Sequence, residues 1–166
     1  MRYRVAAGTI TVKARSRVHN TTTVWNQLTG DVTADPDSLA TAGATARFTV
    51  DMTAFDAGDF LKNRKLRKDF DLAGHPRATF ELRTVKDVVR DGASFTATAE
   101  GTLGWRGKQV ALVLKGRGTL DAMSVTANAT FELDIRTLGL SAPRFLMFKV
   151  EDEVTVVVAI RGQVVA

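Results

Sequence analysis

The sequence has no cysteine, which excludes disulfides, thiol nucleophiles and thiolate metal sites. Its two histidines, His19 and His75, stand far apart and neither belongs to a spaced ligand motif, so no metal and no cofactor is expected. One tyrosine and two tryptophans leave little with which to stack bases. No stretch approaches the ~20 apolar residues of a membrane-spanning helix. Met1-Arg2-Tyr3-Arg4-Val5 enters a strand pattern at once, without an apolar signal region, and the expectation is a soluble, cytoplasmic protein. No linker or compositional break divides the 166 residues, so a single domain over 1–166 is expected.

What the sequence does have is alternation. Ile10, Val12 and Ala14 alternate with Thr11 and Lys13; Leu28 to Asp35 forms a second strand interrupted at Gly30; Ala46, Phe48, Val50 and Met52 alternate with polar neighbours. The same period runs through Ala78 to Val85, through Phe95, Ala97, Ala99, Gly101 and Leu103, through Val110, Leu112 and Leu114, through Met123 to Leu133, and through Val154 to Val165. Turns are read at Arg90-Asp91-Gly92, Arg106-Gly107 and Gly116-Arg117-Gly118, and Arg15 to Asn26 reads as a loop or irregular edge. About eight short strands, apolar on one face, describe an all-β antiparallel meander that hides its apolar face by closing into a barrel or packing as a sandwich. The barrel is preferred.

The alternation stops for long in only one place. Asp59 can cap a helix over residues 58 to 72, lying across one end of the sheet and ended before Pro76. Five of the seven positions from Lys62 to Lys68 are Lys or Arg: Lys62, Arg64, Lys65, Arg67 and Lys68. Such a run is either a solvated face that keeps the protein soluble or a basic lip that meets anionic head groups. The net charge of +5 admits an acidic partner of either kind.

The inward positions carry the functional reading. Ala97, Ala99, Gly101, Ala127 and Ala129 are too small to meet across an eight-stranded barrel, and Phe48, Val50, Phe80, Leu82, Phe95, Phe131, Val158 and Ile160 bound them. Together they predict a lumen that takes a long apolar chain; the other reading is a solid core with the aromatics over the alanines. His19, Trp25 and the basic residues Lys62, Arg64, Lys65 and Arg67 are candidates for the barrel mouth. His19 can also bond a loop carbonyl, His75 can simply anchor the helix exit, and Trp25 and Trp105 can be satellite core. Asp134 and Arg136 read as a surface pair.

Lys13-Ala14-Arg15-Ser16-Arg17-Val18-His19, Gly30, Asn63-Arg64-Lys65-Leu66 through His75-Pro76-Arg77-Ala78-Thr79-Phe80, Gly101-Thr102-Leu103-Gly104-Trp105-Arg106-Gly107-Lys108 and Leu138-Gly139-Leu140-Ser141-Ala142-Pro143-Arg144-Phe145-Leu146 together resemble the YceI-like family, over nearly the whole chain. The resemblance implies a single lipocalin-like, eight-stranded antiparallel barrel that binds a polyisoprenoid, quinone-like or fatty-acyl chain for storage or transport, often as a homodimer. Many members carry Arg-Asp-x-His-Leu where this chain has Arg64-Lys65-Leu66-Arg67. No catalytic residue is implied, and no assignable inward position holds a titratable group, so an enzyme is not expected. The alternatives are an enzyme acting on an amphipathic substrate at the mouth, or a basic module for nucleic acid or an anionic membrane surface.

Overall fold

The computed structural model describes residues 1–16, 20–140, 144–145, 148–149 and 151–166. In chain order its elements are β1 (Arg2–Arg15), β2 (Asn20–Trp25), β3 (Leu28–Ala34), α1 (Leu39–Ala42), β4 (Ala44–Asp51), β5 (Phe55–Asp56), α2 (Phe60–Asp69), β6 (Arg77–Asp91), β7 (Ser94–Trp105), β8 (Lys108–Leu120), β9 (Ser124–Asp134), a 3-10 turn (Ile135–Leu138), β10 (Arg144–Phe145), β11 (Phe148–Lys149) and β12 (Glu153–Val164). Strands β12, β9, β8, β7, β6, β4, β3 and β1 follow one another around an antiparallel sheet, and β12 pairs back onto β1 from Tyr3↔Val164 to Lys13↔Thr155. The result is a closed eight-stranded barrel, the all-β fold that the alternation predicts. Closure leaves no free edge among these eight strands, and β2 lies on the edge of β1 opposite β12, where it takes over from β3 along Ile10–Arg15 and pairs in turn with β5.

Three expectations are corrected. Residues 15–26 are not all loop: Asn20–Trp25 pairs with Ile10–Arg15, because Thr21, Thr23 and Trp25 all turn to a buried side. Gly116-Arg117-Gly118 is not a turn but the interior of β8, where Gly116 faces Ala129 and Gly118 faces Ala127. A Cβ on Gly118 would run into the carbonyl oxygen of Thr126, so glycine serves close strand approach there. The true reversal is at Asp121, whose carboxylate accepts from the N–H groups of Met123 and Ser124 at 2.8 and 2.9 Å. Lastly, the helix spans 60–69 rather than 58–72, with Asp59 accepting from the Lys62 N–H at 2.8 Å as its N-cap, and Phe70 and Leu72 lie in the turns beyond it. Arg106 and Gly107 make the expected two-residue turn, both at positive φ (55° and 73°).

The register gives the barrel two different ends. Tyr3, Ala34, Asp91, Leu120, Ser124 and Val164 lie at one, called here the Tyr3 end, where Leu39 of α1 is buried. Asp51, Arg77, Trp105, Lys108, Asp134 and Glu153 lie at the other, over which α2 folds. At this helix end Leu66, Phe70 and Leu72 are buried together with Trp25 and Trp105.

Candidate functional site

The inward residues of the eight strands enclose a cavity of about 320 Å³. That volume decides between the two readings of the interior, since a solid core leaves few voids larger than a water molecule. Phe48, Val50, Phe80, Leu82, Phe95, Ala97, Ala99, Ala127, Ala129, Phe131, Val158 and Ile160 all line it. Gly101 does not, which corrects the sequence reading: a Cβ there would lie 2.5 Å from Cζ of Phe80, so the ring already fills the place that glycine leaves. Gly30 does the same for Phe48, whose Cδ1 would be 2.8 Å away. Phe48 and Phe80 are cross-strand partners, and with a glycine on each flanking strand their rings lie along the wall. The alanines of β7 and β9 face open space instead.

The lining holds no acidic, basic or histidine side chain among the described residues. Thr79 and Asn128 are its polar members, and each sits between two inward neighbours, Ala78 and Phe80 or Ala127 and Ala129, so strand alternation turns their side chains outward. The indole N–H of Trp25 donates to the Met52 carbonyl at 3.1 Å and that of Trp105 to the His75 carbonyl at 2.9 Å, which leaves their apolar faces for the cavity. Such a site can desolvate an apolar molecule and offers no side chain for acid or base work.

Sequence reasoning missed the ends of the cavity. Phe70, Leu39, Ile135, Leu138 and Leu140 line it from outside the strands, where no period-2 pattern could mark them. Asp134 and Arg136 form the expected surface pair, at 2.6 Å, while Ile135 between them turns inward.

Of the residues expected at the mouth, Trp25 is buried and lines the cavity, with its ring 5.8 Å from that of Phe55. Arg67 also lies over the Phe55 ring, its guanidinium 5.3 Å from the ring centre. Lys65 pairs with Asp69 at 3.0 Å one turn away. Lys62, Arg64, Lys65 and Arg67 touch no part of the cavity, so the structure does not bring them to an apolar guest as a head-group site. His19 lies outside the described residues.

This is the architecture of a lumen-bearing β-barrel. The chain matches the YceI-like domain family over residues 3–161 and belongs to that family. No curated protein matches its sequence. Among solved structures it is similar to a polyisoprenoid-binding domain from Saccharophagus degradans implicated in plant cell wall breakdown (14% identity, TM-score 0.79, 98% of each chain). It is similar also to Burkholderia cenocepacia BcnA (20% identity, TM-score 0.76, 93% of this chain and 95% of that one) and to the Campylobacter jejuni YCEI protein (13% identity, TM-score 0.70, 90% and 88%). At these identities the likeness establishes the shared fold.

Proposed function

We propose that the barrel binds one long, uncharged or weakly polar chain, polyprenyl, quinone-like or fatty-acyl, in its lumen and holds it for storage or transport without chemical change. The observation that carries this reading is the 320 Å³ cavity walled by apolar side chains, with alanines where larger residues would fill it. The volume is near the lower end of the roughly 300 to 1,000 Å³ found for ligand pockets. The likeness to a polyisoprenoid-binding domain supports the choice of ligand class. Burying a CH₂ contributes about 0.8 kcal/mol, against about 4 to 15 kcal/mol for association, so a chain of only about ten carbons binds weakly and a long slender one is favoured.

The test is organic extraction of the purified protein with mass spectrometry, beside titration with the fluorescent polyene cis-parinaric acid. A long-chain lipid in the extract and saturable probe binding are expected. Ala127→Phe and Ala129→Phe should abolish both and leave a folded barrel, because overpacking costs about 1 to 3 kcal/mol. An empty extract, no probe binding and Phe variants equal in stability to the wild type would overturn the reading.

A homodimer belongs to the same proposal. Val157 and Ala159 sit on the outward side of β12 among uncharged partners, Thr11 and Thr130 beside the first, Thr9 and Asn128 beside the second, which favours a second copy of the same surface. Sedimentation should give a dimer at micromolar concentration and a monomer for Val157→Lys; a wild-type monomer removes this part. The expected cytoplasmic location is tested by cell fractionation.

A further inference from the structure

The outward face of α2 combines two features that the cavity does not use. Phe60 and Leu61, its first two residues, are 74% and 73% exposed, the most exposed large apolar side chains in the described chain. Arg64 and Lys68 follow at helical spacing, Phe60, Arg64 and Lys68 at intervals of four and Leu61 three before Arg64, so all four project from one face. Leu66 lies on the opposite face and is buried against the barrel. Single exposed apolar residues are ordinary, but two adjacent ones at the head of a cationic face make a patch.

The acidic residues around this face are engaged elsewhere. Asp59 caps the helix, Asp56 accepts from the Gly58 N–H at 2.9 Å, and Asp69 is held by Lys65 on the flank. His75 approaches Asp71 at 3.9 Å, past the end of the helix. Arg64 and Lys68 make no ion pair among the described residues. Nucleic acid would match the charge but has no use for Phe60 and Leu61 without a groove or base platform beside them. An anionic bilayer uses both, lipid phosphates for the cations and the acyl boundary for the apolar pair.

We propose that α2 is a membrane-docking element that seats the helix end of the barrel on an anionic lipid surface, with Phe60 and Leu61 inserted below the head groups and Arg64 and Lys68 among the phosphates. The same segment carries Phe70 into the cavity lining, so docking brings the bilayer to the end of the lumen that the helix covers. That the docked barrel exchanges its guest with the bilayer rests on the lumen-binding reading; the docking itself does not.

Flotation of the full chain with vesicles of phosphatidylcholine alone and of phosphatidylcholine mixed with phosphatidylglycerol tests the surface, with cis-parinaric acid binding measured in parallel. Wild type should float with the mixed vesicles and be released by salt. Arg64→Glu with Lys68→Glu, and separately Phe60→Ser with Leu61→Ser, should each lower the vesicle partition constant at least roughly tenfold, since neutralising even one cation near such a surface is worth about fivefold and withdrawing a large apolar side chain from the acyl boundary at least as much. Neither pair lines the cavity, so probe binding should be unchanged. Docking without probe binding defeats the lumen reading alone; probe binding without docking defeats this proposal alone. Equal flotation with neutral vesicles, variants that float like wild type, or salt-sensitive retention on duplex DNA in place of vesicles would each overturn it.

Discussion

The two ends of the barrel use their polar side chains differently. At the Tyr3 end the donors join the ring to its own turns and to the short segment that carries α1: the Tyr3 hydroxyl donates to the Asp121 carbonyl at 2.6 Å, and Nη2 of Arg90 donates to the carbonyls of Leu120 and of Pro36, in the turn before α1, each at 3.2 Å. The carboxylates of Asp35 and Asp121 are spent on their own turns. At the helix end the donors reach instead to one segment, residues 52–76: Trp25 to Met52, Arg106 to Phe70 at 2.5 Å, and Trp105 to His75. One end is therefore part of the sheet's cooperative structure, while the other is closed by a cap hung from the sheet by a few bonds. A cap of this kind can open while the strands stay paired, because local opening costs only the contacts of the unit that moves.

Two leucines of equal size put the strongest strain on this contrast. Leu120 is 2% exposed at the Tyr3 end and Leu72 is fully buried at the helix end. Leu→Ala at either is expected to cost about 2 to 5 kcal/mol. Leu120→Ala should lower global stability in urea and speed amide exchange across β8 and its neighbours. Leu72→Ala should speed exchange in α2 far more than in the sheet. If exchange in α2 and in β8 moves together in both variants, the ends form one cooperative unit and the contrast is lost.

Arg106→Met is a milder version of the same test. It removes the donor to the Phe70 carbonyl and keeps the apolar stem over Trp105, whose ring lies 5.7 Å from the guanidinium carbon. Hydrogen bonds to charged groups are worth about 1.5 to 3 kcal/mol, and the loss should appear as faster release of a lumen probe with little change in the urea midpoint. Unchanged release would mean that the cap does not gate the lumen.

The same division explains what could be read from the sequence. Barrel strands announce themselves by period 2, so the inward phase of Phe48, Phe80, Ala97 and Ala127 is legible one residue at a time. Gly101 has the same phase and was misplaced because its role depends on Phe80 across the strand, a contact that no local pattern contains. Gly116 and Gly118 look like a turn for the same reason: glycine for close approach and glycine for reversal are one letter. The basic run of α2 was plain, but its faces were not. The apolar residues Phe60, Leu61, Leu66 and Phe70 make no single clean stripe at helical spacing, and the burial of Leu66 shows that the face shared by Phe60, Leu61, Arg64 and Lys68 is the outward one.

The smallest expected effect belongs to Tyr3, the chain's one tyrosine, so tyrosinate absorbance titrates this group alone. Burial, with Asp121 and then Asp35 adding to it and Arg90 opposing, raises its hydroxyl above the ordinary 10.0. For a raised acid the neutral form is the one that the fold favours. Its contribution is whole below the ordinary value and is lost as pH climbs from there through the folded value, because the unfolded chain ionises first. Tyr3→Phe should cost about 1 kcal/mol at neutral pH through the bond to the Asp121 carbonyl. The gap between wild type and variant should then close as pH rises past 10.0, measured by urea unfolding at each pH. Exchange in α2 should stay the same in both, since the group is tied to the ring and not to the cap. A gap that persists unchanged into alkali, or a tyrosinate that forms at or below 10.0, would show that the hydroxyl is not held as the geometry places it.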